Sequence, residues 1–153
     1  MTRPGWDAYY LGIARAVAAR ASCSRRQVGA VVVVDNAIIA TGYNGTPMGV
    51  RNCDEGGCPR CASDAPVGAG YDACICVHAE QNAIVFAARH GNATKGGTLY
   101  STLRPCFGCL KESIQAGLRR IVYAETFAYE AELEAVYRRL VDESGIELIE
   151  HRI

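Results

Sequence analysis

Apolar positions along this chain recur with two different periods. Between Asp7 and Ala21, the residues Tyr10, Ile13, Ala14, Val17 and Ala21 fall on one helical face, so an alanine-rich amphipathic helix is predicted. Val28 to Val34 is nearly unbroken and β-branched, the pattern of a strand covered on both faces. Asp35-Asn36 is a turn pair and Ala37 to Gly42 a second strand, which predicts an antiparallel hairpin. His78 to His90 carries Ala79, Ala83, Ile84, Ala87 and Ala88, a helix whose small residues suit close packing, with Gly91 as its stop. Thr98 to Thr102 is a strand. A short helix is expected with Pro105 in its first turn, then Leu110 and Ile114, and Gly117 as its end. Ile121 to Ala124 is a strand. Tyr129 to Val141 is a helix with Leu133, Val136, Tyr137 and Leu140 on one face, and Ile146 to Ile149 is a closing edge strand.

The order α-β-β-α-β-α-β-α-β combines one hairpin with strand–helix alternation. It predicts an α/β three-layer sandwich: a five-stranded mixed sheet with helices on both faces. At 153 residues, half of them hydrophobic, one domain over residues 1–153 is expected. Sixteen basic and sixteen acidic residues balance, so no global field favours a nucleic acid polymer or an anionic membrane. No apolar run reaches the roughly 18 residues of a membrane span, and the first residues lack the apolar region of a signal peptide. A reducing, cytoplasmic location is therefore expected. From Tyr43 to Asp72 the periodicity dissolves among glycines and prolines. An irregular segment of that length is usually functional or tied down.

Eight cysteines are too many for an ordinary reduced chain, and their bunching points to metal or redox chemistry. Two short pieces open two of the predicted helices. One is His78-Ala79-Glu80 and the other is Pro105-Cys106-Phe107-Gly108-Cys109. One imidazole and two thiolates suit Zn²⁺, and three protein ligands leave a fourth position for water, as catalytic zinc requires. Helix N-termini favour thiolates. Glu80 is placed to carry protons beside the metal without ligating it. Either piece alone is equally consistent with a structural role. Together, His-x-Glu followed by Pro-Cys-x-x-Cys matches the signature of zinc deaminases.

Three further stretches extend that match. Cys-Ser-Arg-Arg-Gln-Val-Gly-Ala-Val-Val-Val-Val-Asp (residues 23–35), Thr-Gly-Tyr-Asn-Gly-Thr-Pro (41–47) and His-Ala-Glu-Gln-Asn-Ala-Ile (78–84) closely resemble deoxycytidylate (dCMP) deaminases. The resemblance runs from Trp6 to about Tyr123. It implies hydrolytic loss of the 4-amino group of a deoxycytidine nucleotide, giving dUMP for thymidylate synthesis, with His78, Cys106 and Cys109 on zinc and Glu80 as the proton carrier. It also implies a sugar-binding role for Asn44, against the plain reading of a turn asparagine beside glycine. Arg26, with Arg25, is placed either to meet a 5′-phosphate or to stand as a solvated pair, and Tyr123 either lines the pocket or packs at an edge. Gly42, Tyr43, Asn44 and Gly45 resemble the family's effector loop, which implies dCTP and dTTP as effectors. Relatives often form homo-oligomers.

Some members carry a second, structural zinc. Four of Cys23, Cys53, Cys58, Cys61 and Cys76 are the candidates here, Cys58-x-x-Cys61 having chelating spacing. Cys76 is preferred to Cys74 for its nearness to the helix start. The plain alternative is a set of buried thiols. At the level of function, the competing readings are a deaminase acting on dCTP, another cytosine nucleotide or a nucleoside, and a non-catalytic zinc-binding module.

Overall fold

The computed structural model describes residues 2–153. One five-stranded sheet organises it. Its strands are β1 (Gly29–Val34), β2 (Ala37–Tyr43), β3 (Thr98–Leu103), β4 (Arg120–Glu125) and β5 (Glu147–Glu150), in the order β2-β1-β3-β4-β5. β1 runs antiparallel to both β2 and β3, whereas β3, β4 and β5 are parallel. The helices are α1 (Trp6–Ala18), the single turn α2 (Pro59–Ala62), α3 (Ala79–Arg89), α4 (Phe107–Gln115) and α5 (Ala131–Ser144). The three-layer mixed-sheet architecture expected from the sequence is the one observed.

Alternation along the strands divides the core in two. Val31, Val33, Tyr100 and Val122 point to one face, where Tyr10 and Leu11 of α1 cover them. Ala30, Val32, Leu99 and Ile121 point to the other, where Ala79 and Ala83 of α3, Leu110 of α4 and Tyr137 of α5 pack. Asp35 and Asn36 both adopt positive φ, 50° and 60°, as a two-residue turn matched to strand twist demands. The alanines of α3 allow unusually close approach to β2. A Cβ on Gly42 would lie 2.3 Å from the Ala79 carbonyl oxygen and 2.4 Å from the Ala83 nitrogen. Backbone thus touches backbone where α3 begins, and that fixes the height of His78 and Glu80 above the sheet.

Several boundaries differ from expectation. α1 stops at Ala18, and residues 19–21 turn back by hydrogen bonds to Ala16, Val17 and Ala18. Pro105 precedes α4 rather than lying in its first turn, because Cys106 is the N-cap. α5 starts at Ala131 and its buried side chain is Tyr137, while Leu133 and Val136 are exposed. A polar anchor sets that rotation: Glu134 turns inward to a bidentate pair with the fully buried Arg104, at 3.0 and 2.9 Å. The irregular stretch after β2 holds α2 and two short 3₁₀ turns, Cys53–Glu55 and Tyr71–Ala73. No helix among the described residues is long and apolar enough to cross a membrane.

Candidate active site

α3 and α4 bring their N-terminal ends together over the sheet. His78 caps α3, and its backbone N–H donates to Gln81 Oε1 at 2.9 Å. Cys106 caps α4, and Cys109 lies in that helix's first turn. The His78 Nδ1 atom is 3.4 Å from both Cys106 Sγ and Cys109 Sγ. A tetrahedral zinc with ordinary Zn–N and Zn–S bonds spaces such atoms about 3.6 Å apart. The donor set and its spacing therefore fit zinc, and the three atoms leave one side open, with His78 exposed and Cys109 buried. Both helix dipoles point their positive ends here. A hydrogen bond from Cys109, together with that from His78, holds the Cys106 thiol down at about 4 against the effect of burial. The same Cys106 contact, with burial, pushes Cys109 up, and Cys106 also raises His78.

Glu80 completes the group. It is buried, and Ser101 Oγ–H on β3 donates to its Oε1 at 3.0 Å. Its Oε2 lies 3.5 Å from Cys109 Sγ. Burial raises its pKa above the usual carboxylate range, which brings a proton carrier toward neutral pH. Ser101 has no sequence signal of its own, being one more alternating strand position. Only the fold brings it under α3.

The other expected residues take distinct positions. Asn44 is buried, with its Oδ1 accepting from the Val28 N–H at 2.8 Å and its Nδ2 donating to the Arg26 carbonyl at 2.7 Å. Its amide latches the segment before β1. Gly42 and Tyr43 are bound to α3, since Asn82 Nδ2 donates to the Tyr43 carbonyl at 2.8 Å, and Gly45 pairs with Val77 just before His78. Tyr123 is buried on β4 in register with Ser101. Arg26 is exposed and paired with Glu125 at 3.0 Å. Cys23, Cys53, Cys58, Cys61 and Cys76 do converge, but Cys74, passed over in the sequence reading, joins them.

Two helix N-termini present His, Cys and Cys to one point, with a buried glutamate beside them, the donor set and proton carrier of the zinc-deaminase signature. Residues 4–125 match the family model for the cytidine and deoxycytidylate deaminase zinc-binding region. The chain is 40% identical over 146 residues to the deoxycytidylate deaminase of Schizosaccharomyces pombe, covering 95% of this chain and 44% of that protein. Against the deoxycytidylate deaminase of Mycobacterium phage D29 it is 44% identical over 128 residues, covering 80% of this chain and 97% of the phage protein. The crystal structure of the cyanophage S-TIM5 dCMP deaminase in complex with dCMP and dUMP superimposes with a TM-score of 0.75 at 29% identity, covering 99% of this chain and all of that one. The chain belongs to the cytidine and deoxycytidylate deaminase family. It spans less than half the length of its fission-yeast relative.

Proposed function

We propose that this chain hydrolyses dCMP to dUMP and ammonia. The observation that carries the reading is Glu80: a buried carboxyl with raised pKa, hydrogen-bonded by Ser101 and touching the His78–Cys106–Cys109 group. His78, Cys106 and Cys109 would hold zinc, which when bound supplies the Lewis acidity that makes water a competent nucleophile near neutral pH. Glu80 takes one proton from the attacking water and delivers it to N3 of the ring as C4 is attacked. It then takes the remaining proton of the new C4 hydroxyl and passes it to the 4-amino group, which leaves as ammonia as the C4 carbonyl forms. Ser101 holds the carboxylate in position. The relatives named deoxycytidylate deaminase, and the dCMP and dUMP in the cyanophage structure, support a deoxycytidine monophosphate as substrate.

Arg26 supplies an exposed guanidinium for the 5′-phosphate once it parts from Glu125, and Asn44 and Tyr123 form the walls nearest the sugar and base. Gly42, Tyr43, Asn44 and Gly45 lie at the end of β2 and are tied to α3 through Asn82 and to the residue before His78 through Gly45–Val77, so a dCTP or dTTP effector bound there reaches His78 and Glu80 through those contacts. The exposed Val85, Leu133 and Val136 fit a homo-oligomer. The loop cysteines hold structural zinc. The test is ultraviolet absorbance across a panel of cytosine nucleotides and nucleosides, repeated with dCTP and dTTP, with light scattering for the oligomer. Turnover is expected with dCMP, and Arg26→Ala should raise KM for dCMP far more than for deoxycytidine. Equal effects on both substrates remove the phosphate role, and turnover of nothing in the panel removes the deaminase reading.

A further inference from the structure

Six cysteines lie outside the His78 site, all of them free, and the fold gathers them into one cluster. Cys23 follows α1; Cys53, Cys58 and Cys61 come from the loop after β2; Cys74 and Cys76 come from the extended run that leads into His78. Their sulfurs form two groups of four. Cys23, Cys53, Cys61 and Cys76 make one, and Cys58, Cys61, Cys74 and Cys76 the other, each with its sulfurs within 4.8 Å of one another. Cys23 and Cys61 are 4.0 Å apart, Cys58 and Cys74 3.7 Å, and Cys61 and Cys74 3.8 Å. Four thiolates around a tetrahedral zinc at about 2.3 Å stand about 3.8 Å apart. A disulfide would need about 2.05 Å. Sulfurs this close leave room for an ion but none for the inorganic sulfides of an iron–sulfur cluster.

Cys61 and Cys76 belong to both groups. One four-coordinate ion therefore leaves two thiols stranded at ligand distance, either Cys58 and Cys74 or Cys23 and Cys53. Two ions that share two sulfurs use all six. We propose that the loop cysteines hold a two-zinc, six-thiolate cluster, with Cys61 and Cys76 bridging, Cys23 and Cys53 terminal on one ion, and Cys58 and Cys74 terminal on the other.

The surroundings fit such a cluster. Six thiolates on two Zn²⁺ carry excess negative charge, and two guanidiniums brace the backbone around them. Arg25 Nε donates to the Cys61 carbonyl at 3.0 Å, and the buried Arg60 donates to the Ala69 and Pro66 carbonyls at 3.0 Å. The Ser24 N–H points at Cys53 Sγ from 3.4 Å, the kind of outer contact that steadies a ligating thiolate. None of the histidines joins either group of four.

This inference deepens the reading of the loop as a structural zinc site and rests on it; it is independent of the chemistry at Glu80. Elemental analysis of the reduced full chain is expected to give three zinc ions per chain, one of them lost in a His78→Ala/Cys106→Ser variant. Cys58→Ser/Cys74→Ser should lose one ion and keep four thiolates for the other. Should that variant fail to fold, NMR of the unmodified chain reconstituted with NMR-active cadmium decides. Two thiolate-type resonances, each split by the other through the shared sulfurs, are expected. Two ions per chain with a single unsplit cluster resonance overturn the bridged pair and leave one structural zinc. One ion per chain overturns both and leaves the deaminase site untouched.

Discussion

Burial is the largest influence on the titration of Glu80 and raises its pKa, as does the neighbouring Cys106. A backbone hydrogen bond at Glu80, the charge of His78 and the hydrogen bond from Ser101 favour the ionised form and lower it. A proton carrier needs that balance, because it must be ionised to accept a proton and acidic enough to give it back. Glu80→Gln keeps the shape, removes the exchangeable proton and leaves His78, Cys106 and Cys109 intact. It should retain metal at that site and lose about 10²- to 10⁴-fold or more in kcat. Near-normal deamination by that variant would falsify the assignment. Ser101→Ala tests the orienting contact. A hydrogen bond to a charged group is worth about 1.5–3 kcal/mol, so kcat should fall roughly 10- to 100-fold with KM little changed. Losing a contact that favours the carboxylate raises its pKa, so the acid limb of the pH–rate profile should move to higher pH. A profile that stays in place means Ser101 supports only the strand.

At the scale of the elements, what matters is how α5 holds the loop that carries Cys106. Arg104 is buried beneath α5, bonded by both terminal nitrogens to Glu134 and stacked 3.9 Å from the Tyr137 ring centroid. The Tyr137 hydroxyl donates to the Pro105 carbonyl at 2.7 Å, and Tyr129 Oη accepts the Phe107 N–H at 2.9 Å. The two residues before Cys106 and the one after it are thus each tied to α5 or its lead-in. Glu134→Gln leaves a buried guanidinium without its counter-charge, which costs about 3 kcal/mol or somewhat more and should appear as a lower denaturant midpoint. The Arg104 hydrogen bonds hold Glu134 below its ordinary value of 4.5. Its stabilisation is therefore complete above pH 4.5 and lost as pH falls through the lowered value. Wild type should weaken in that acid window and Glu134→Gln should lack that component. A variant within about 0.5 kcal/mol of wild type, with the same acid profile, shows that the pair does not hold α5.

Across the whole molecule, the parts legible in the sequence are those where local pattern and packing agree. Val28 to Val34 could only be a covered strand, and Asp35-Asn36 could only be its turn. His78, Glu80, Cys106 and Cys109 could be grouped because each pair sits where a helix begins. Ser101, Arg104 and Glu134 were not legible, since a strand serine and two surface-type charges acquire meaning only from elements distant in sequence. Nor was the partition of the loop cysteines, because spacing says which residues can chelate but not which sulfurs meet. That loop has almost no apolar core. Between residues 46 and 76 the buried side chains are Cys53, Cys58, Arg60 and Cys61. Ordering backbone costs about 1–2 kcal/mol per residue, which over this stretch amounts to tens of kcal/mol. A few buried thiols cannot offset that, whereas thiolate–zinc binding supplies about 10–16 kcal/mol per structural ion. The sheet has its own two apolar cores and does not depend on the loop. Chelation under reducing conditions should therefore abolish amide-exchange protection in residues 46–76 while β1, β3 and β4 keep theirs. The disturbance should reach His78 next, through Val77 and its pairing with Gly45. Protection that persists across 46–76 in metal-free, reduced protein would mean that side-chain contacts alone order the loop, and that its cysteines are packing groups rather than ligands.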